Sequence, residues 1–190
     1  MRALEGIRVV DFTQVIAGPF ATQHLALLGA DVIKIEQPGV GDQGRRLLGD
    51  NDWGEANLSP MFLACNAGKR SITLDLKQEA AKRIVWQLIE SADVLMENYK
   101  AGVIERLGFG YEAVKKVKPN IVYCSVTGYG QTGPYAGAAA YDGAIQATSG
   151  MVAVTGLPET PVRAGFMGVD VPTAISATMA ILGALVRRER

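Results

Sequence analysis

The residue best placed to do chemistry is Asp170, in Gly168-Val169-Asp170-Val171-Pro172, just ahead of an apolar stretch that closes in Arg187-Arg188. Asp is a favoured helix N-cap and Pro a favoured first-turn residue, so one reading is a plain cap. The same position suits catalysis. A carboxylate at a helix start is held ionised by the positive end of the dipole and by free N–H groups, which is what a carboxylate nucleophile needs. A second candidate, Gly128-Tyr129-Gly130-Gln131-Thr132-Gly133, spells the dinucleotide fingerprint GxGxxG. Pro134 follows it at once, the first βα turn lacks the motif, and no acidic residue ends a strand about 20 residues on, so NAD binding is set aside. A third set is Lys69, Arg70, Lys77, Asn98, Lys100 and Arg106, near the ends of successive expected strands. Singly each reads as a solvated surface residue, and together they could line a cleft for a phosphorylated ligand. His24, between Phe20 and Leu28 in an apolar run, reads as a core or helix-cap histidine, and Cys124 as packed.

The elements that must position these groups begin with residues 7–36. Residues 7–12 form an apolar β-rich run, 19–28 a helical run stopped by Gly29, and 31–35 a second apolar run, which together read as strand, helix and parallel strand. In the intervening turn, Gly18 is expected to allow close backbone approach and Pro19 to occupy the first helical position. Such a turn, at the carboxyl end of a parallel strand, is where open α/β sheets bind ligands. Residues 37–60 carry Gly, Asp and Asn without any period. Strands are expected at 71–76, 92–96 and 120–126. The clearest helix places Ala81, Ile84, Val85, Leu88 and Ile89 on one face, with Asp75 and Gln78 as capping candidates. Shorter helices are expected at 103–107 and 111–117, a glycine-rich loop at 128–137, a helix at 141–149, an irregular stretch at 150–168 and a final helix at 172–188. Strands alternating with helices predict an α/β fold with a doubly wound, mostly parallel sheet.

Composition narrows the function classes. The 190 residues are 48% hydrophobic, and 19 basic residues balance 19 acidic ones. Without a Lys/Arg tract, nucleic acid is not the expected partner. Cys65 and Cys124 are isolated and His24 is the single histidine, so neither a disulfide framework nor a metal site is indicated. The start has no apolar signal core, and residues 171–186, interrupted by Thr173, Ser176 and Thr178, are short for a span of about 20 residues. A cytoplasmic protein without a membrane partner is expected.

The ordered motifs resemble the class III CoA-transferases, a family that includes formyl-CoA transferase, the carnitine CoA-transferase group and the α-methylacyl-CoA racemases. The carriers are Leu4-Glu5-Gly6-Ile7-Arg8-Val9-Val10-Asp11, Ala17-Gly18-Pro19, the run from Leu28 to Glu36, Gly41-Asp42, Asn66 with Lys69-Arg70-Ser71 and Leu74-Asp75, Glu97-Asn98-Tyr99, Arg106-Leu107-Gly108, and Gly128 to Tyr135. The resemblance spans the whole chain and implies a Rossmann-like large domain. By position Asp170 is similar to the family's catalytic aspartate. Gln14, Val15, Ile16 and Ala17 fall where the family's first loop meets CoA. Leu74 and Lys77 bracket the strand end bordering the adenine, Asn98, Tyr99 and Lys100 a pantetheine and phosphate stretch, and Arg106 a nucleotide-phosphate contact. Gln37 and Ala139 depart from the Arg and Lys found there in some members, leaving Lys69 or Arg70 as substitutes.

The implied mechanism is covalent. Asp170 attacks an acyl-CoA thioester to give a mixed anhydride, CoA thiolate converts that to an aspartyl-CoA thioester, and an acceptor carboxylic acid is loaded through a second anhydride. Racemase members carry His-Asp where this chain has Tyr141-Asp142, and Tyr is a poor base at neutral pH. That favours the transferase, with an isomerase or a non-catalytic CoA-binding subunit as alternatives. Family members are roughly twice as long and form interlocked homodimers. The resemblance therefore makes residues 1–190 the N-terminal part of the large domain, with the small domain and the return of the chain expected beyond them.

Overall fold

The computed structural model describes residues 2–47 and 56–190. Their first half alternates strand and helix: β1 (Arg8–Asp11), α1 (Ala17–Leu27), β2 (Asp31–Glu36), α2 (Pro60–Asn66), β3 (Arg70–Thr73), α3 (Glu79–Glu90) and β4 (Val94–Glu97). Next come α4 (Val103–Leu107), α5 (Tyr111–Val117) and β5 (Val122–Ser125). These strands pair in parallel in the order β3-β2-β1-β4-β5. The chain thus winds one way from β1 to β3 and the other way through β4 and β5. The reversal falls between β1 and β4, where the connections diverge and leave a crevice at the carboxyl ends of the strands.

Neighbouring strand residues face opposite layers, as the pleat requires. Val9, Val32 and Val94 pack with Ala21 and Leu25 of α1 on one side of the sheet. Val10, Ile33 and Leu95 pack with Val85 and Ile89 of α3, Ile104 and Phe109 on the other. The doubly wound parallel sheet expected from the alternation is the one found. The absence of strict apolar–polar alternation in runs such as residues 31–35 follows from burial on both faces.

Local differences have physical causes. Helix α1 starts at Ala17, so Pro19 is its third residue. Its missing N–H still falls among the first four, which have no intrahelical acceptor. Gly18 is needed for close packing, since a Cβ there would run into the Thr13 side chain. On α3 the buried stripe is Ala81, Val85 and Ile89, while Ile84 stays 39% exposed. Gln78 occupies its N-cap without a side-chain bond, and Asp75 instead accepts the Lys77 N–H and the Gln78 side chain. Of residues 37–60, 48–55 lie outside the described residues; before them stands a 3-10 turn, Gln43–Arg45.

The stretch 150–168 is not wholly irregular. After α6 (Asp142–Thr148) it forms α7 (Met151–Val154) and an antiparallel hairpin, β6 (Gly156–Leu157) with β7 (Thr160–Pro161). Elements of two to four residues are too short to leave a period in sequence. The last helix, α8 (Asp170–Arg188), begins two residues before the expected start. It is 19 residues long with a mean hydropathy of 1.2, enough by length and composition to cross a membrane. Here Ala174, Ala177, Ile181 and Leu185 bury one face in the layer that includes α1, and Thr178 donates its hydroxyl to the Ala21 carbonyl.

Candidate functional site

A cavity of about 530 Å³ opens at the switch between β1 and β4. Its floor is the loop from β1 to α1, whose conformation is imposed by side chains from elsewhere. Val15 has φ 71°, a left-handed conformation that a β-branched residue adopts only under constraint, at a cost of about 1–3 kcal/mol. Asp42 supplies the constraint, its Oδ1 accepting the N–H groups of Val15 (2.9 Å) and Gly44 (2.7 Å). Asn98 brackets Gln14, accepting its N–H and donating to its carbonyl, both at 2.8 Å. Lys34 donates to the Thr13 carbonyl and pairs with Asp42 at 2.8 Å. Glu97, ending β4, accepts the Tyr99 N–H at 2.9 Å and so sets the path of residues 98–100.

Behind this loop lies a layer of buried charge. Asp11, wholly buried at the end of β1, accepts from Thr13, Thr22 and Lys69, the last at 3.0 Å. Burial alone would raise its pKa. The ammonium groups of Lys69 and Lys34 and the two hydroxyls outweigh burial and hold the carboxyl at about 2. Glu36 behaves alike: burial opposes ionisation, but Arg45, the Ser71 hydroxyl and the Asp42 N–H bring it to about 2.

Asp170 lies across the cavity and differs on two points from the sequence expectation. It does not cap its own helix, because Val169 holds the N-cap position and no side-chain bond is made from it. The capping group is Asp142 of α6, whose Oδ1 accepts the N–H groups of Val169 (2.8 Å) and Asp170 (3.1 Å). Nor is Asp170 held more firmly ionised than usual. Burial first, and then the like charge of Asp142, push its carboxyl up to about 6. The positive end of α8 is already taken by Asp142, so Asp170 meets a neighbouring anion rather than free N–H groups.

Of the residues singled out in the sequence, Gln14, Val15, Ile16 and Ala17 line the cavity from the first loop. Asn98, Tyr99 and Lys100 line it from the loop after β4, and Tyr141 and Asp170 from the far side. Leu74, Lys77 and Arg106 are not in its lining. Leu74 is buried in the α3 layer, while Lys77 and Arg106 are exposed after the carboxyl ends of β3 and β4. Neither proposed phosphate substitute is placed for that task. Lys69 is buried against Asp11, the Pro19 carbonyl and Asn66. Arg70 begins β3 and forks onto Asp31 at the amino end of β2, away from the cavity. The glycine loop 128–133 reaches the cavity through Gly128, but the next helix starts only at Asp142, so no helix N-terminus follows the motif as a pyrophosphate requires. His24 bonds the Phe20 carbonyl of its own helix.

Sequence reading named Asp11, Asp42 and Asp142 only within longer motifs and missed the role of each. A signal for Asp142 was present: Asp142 and Gln146 stand four residues apart, one turn, on the same face of a short helix.

Comparison with known proteins gives one consistent answer. Residues 4–190 match the family described as CoA-transferase family III. A mouse succinyl-CoA:glutarate CoA-transferase is 45% identical over 195 residues, covering 100% of this chain and 43% of its own length. A formyl-CoA:oxalate CoA-transferase of Streptomyces coelicolor is 44% identical, covering 99% and 45%. Among solved structures, a CAIB/BAIF family protein from Brucella suis superposes with a TM-score of 0.90 at 41% identity, over 100% of this chain and 50% of that one. Rv3272 from Mycobacterium tuberculosis gives 0.90 at 38%, over 100% and 52%. The chain therefore spans about half the length of the relatives it matches.

Proposed function

Because the chain belongs to CoA-transferase family III, we propose that it forms the CoA-binding half of an enzyme that moves CoA from an acyl-CoA to a carboxylic acid, with Asp170 as nucleophile. The observation that carries this is the placement of Asp170. Its carboxylate lines the switch-point cavity, is left out of helix capping and is pushed up to about 6 by burial and Asp142. At neutral pH it is still largely ionised, so it can attack, and its raised basicity marks it off from the inert buried carboxylates nearby.

In the first step a carboxylate oxygen of Asp170 bonds to the thioester carbon, the C–S bond breaks, and CoA thiolate leaves with the electron pair. Thiolate then attacks the Asp170 carbonyl of the mixed anhydride, releasing the donor acid and leaving an aspartyl-CoA thioester. The acceptor carboxylate displaces thiolate to form a second anhydride. Thiolate attacks the acceptor's carbonyl in turn, which restores Asp170 and releases the new acyl-CoA. The first turn of α1 opens on the same cavity, and Ile16 at its N-cap makes no side-chain bond, which supports a role for backbone N–H groups there in stabilising developing oxyanions. Gln14 to Ala17 and Asn98 to Lys100 are proposed to hold the pantetheine arm, and Leu74, Lys77 and Arg106 to lie toward the nucleotide.

The names of the relatives, which include succinyl, glutarate, formyl and oxalate, point to short acyl groups and dicarboxylic acids as donors and acceptors. An interlocked homodimer belongs to the same proposal. It is supported by apolar side chains left in solvent, among them Val154 (86% exposed), Phe166 (68%) and Met179 (67%). A cytoplasmic location is proposed on the isolated, unpaired Cys65 and Cys124.

The test is chemical trapping. The full-length protein incubated with succinyl-CoA and quenched with hydroxylamine should carry a hydroxamate on the peptide containing Asp170, and an Asp170→Asn variant should carry none. Tight CoA binding with no adduct in the unsubstituted protein would remove Asp170 from the reaction.

A further inference from the structure

Two carboxylates converge on the start of α8, and only Asp170 lines the cavity; Asp142 is 7% exposed. A helix start leaves its first N–H groups without intrahelical acceptors, and the N-cap side chain usually takes one of them. Here a residue of another helix, 28 positions earlier, takes two. Gln146, buried one turn along α6, donates to the other oxygen of Asp142 and accepts the Ala164 N–H at 2.9 Å. The segment leading into α8 is thus tied to α6 at Ala164 and again at Val169 and Asp170.

On the reading of Asp170 as nucleophile, we propose that Asp142 is a positioning residue for it: Asp142 fixes the backbone at 169–170 so that Asp170 faces the cavity, and places a second carboxylate beside the attacking one. The charge bookkeeping gives this anion a purpose. When the Asp170 oxygen bonds to the acyl carbon and thiolate leaves with the C–S electron pair, one negative charge moves from Asp170 to sulfur, away from Asp142. Like-charge repulsion is therefore present before attack and relieved in the anhydride, so the buried neighbour favours the acylated side chain. The upward push on Asp170 agrees with this arrangement. Of the other titratable groups around Asp170, Tyr99, Lys100 and Tyr141 line the same cavity and Cys65 of α2 feels its charge, but Asp142 is the charged group that moves it.

The test reads the protonation of Asp170 apart from turnover. Full-length protein and Asp142→Asn are labelled with a water-soluble carbodiimide and an amine across pH 4–8, and modification of the Asp170 peptide is quantified by mass spectrometry. The unsubstituted protein should show a labelling midpoint near 6, and Asp142→Asn a midpoint lower by about one unit, since the amide keeps an acceptor but not the charge. In parallel, kcat with succinyl-CoA and glutarate should fall about tenfold, with KM for succinyl-CoA changed less than twofold. Should Asp142→Asn not fold, Asp142→Ser, uncharged and able to accept one N–H, is read the same way. A fall in kcat with an unmoved midpoint would make Asp142 an ordinary structural cap and overturn the proposal. A shifted midpoint with no hydroxamate on Asp170 in the unsubstituted protein would keep the carboxylate pair and remove the nucleophile.

Discussion

Asp11 and Asp170 stand at the carboxyl edge of one sheet, and the protein treats them in opposite ways. Asp11 is sealed from solvent and its charge is answered by Lys69, Lys34, Thr13 and Thr22, which hold it near 2. Asp170 lines a cavity with another carboxylate for a neighbour, and is pushed up to about 6. Burial acts on both in the same direction, so the partners decide the outcome. A buried carboxylate with every lone pair matched is part of the framework that fixes the first loop. One left beside a like charge at the edge of a cavity is available to react.

Asp170→Asn should break the comparison most severely. If Asp170 is the nucleophile as proposed, the change should cut succinyl-CoA to glutarate transfer by about a thousandfold or more in the full-length protein. At pH 7 the same change should raise stability, by an amount on the order of 1 kcal/mol after allowance for solvent screening, because it removes a charge repelled by Asp142 and disfavoured by burial. Residual transfer above a tenth in steady-state assays would count against the reading.

Lys69→Met should act in the reverse sense. It leaves Asp11 buried beside an apolar side chain, and urea unfolding should show a loss of about 3–5 kcal/mol. A midpoint unchanged within error would mean that Lys69 does not hold Asp11 ionised.

The two carboxylates should also separate by pH. Asp11 and Glu36 have folded-state values of about 2, below their unfolded ones, so their stabilisation is complete above about pH 5 and lost as pH falls from there through 2. In the proposed mechanism Asp170 reacts as carboxylate, so turnover should decline as pH falls through about 6 while the fold is still intact. Far-UV circular dichroism and rate profiles that declined together would erase the distinction.

The smallest effect is expected at Arg70. Its fork onto Asp31 is 64% exposed and far from the cavity, so Arg70→Ala should cost less than about 1 kcal/mol and leave CoA affinity unchanged in calorimetry. A tenfold weaker affinity would return Arg70 to the phosphate site.

How much was legible in the sequence follows the same division. The sheet was readable because residues 7–12, 31–35 and 92–96 are apolar runs buried on both faces, and α3 because Ala81, Val85 and Ile89 keep a helical period. The family resemblance implied that Gln14 to Ala17 and the loop after β4 meet CoA, and both line the cavity because the crossover topology sends them to the switch point. What escaped was long-range and polar. Nothing local says that Asp42 will hold Val15 in a left-handed turn, or that Lys69 will turn inward to Asp11 while its neighbour Arg70 turns out to Asp31. Asp170 was found at a helix start, but its state was misjudged because the residue that caps that helix lies on another one.

The central claim, that Asp170 reacts while its sheltered counterpart does not, is tested most directly with glutarate labelled by ¹⁸O in its carboxylates. In the covalent route an acceptor oxygen bridges the second anhydride and stays on Asp170 when thiolate takes the acyl group. After a single turnover of the full-length protein with succinyl-CoA and labelled glutarate, the Asp170 peptide should be about 2 Da heavier, rising toward about 4 Da with repeated turnover, and the Asp11 peptide unchanged. Label appearing in the succinate released in that first turnover, with no gain at Asp170, would contradict the account, because it would mean that glutarate attacks succinyl-CoA directly.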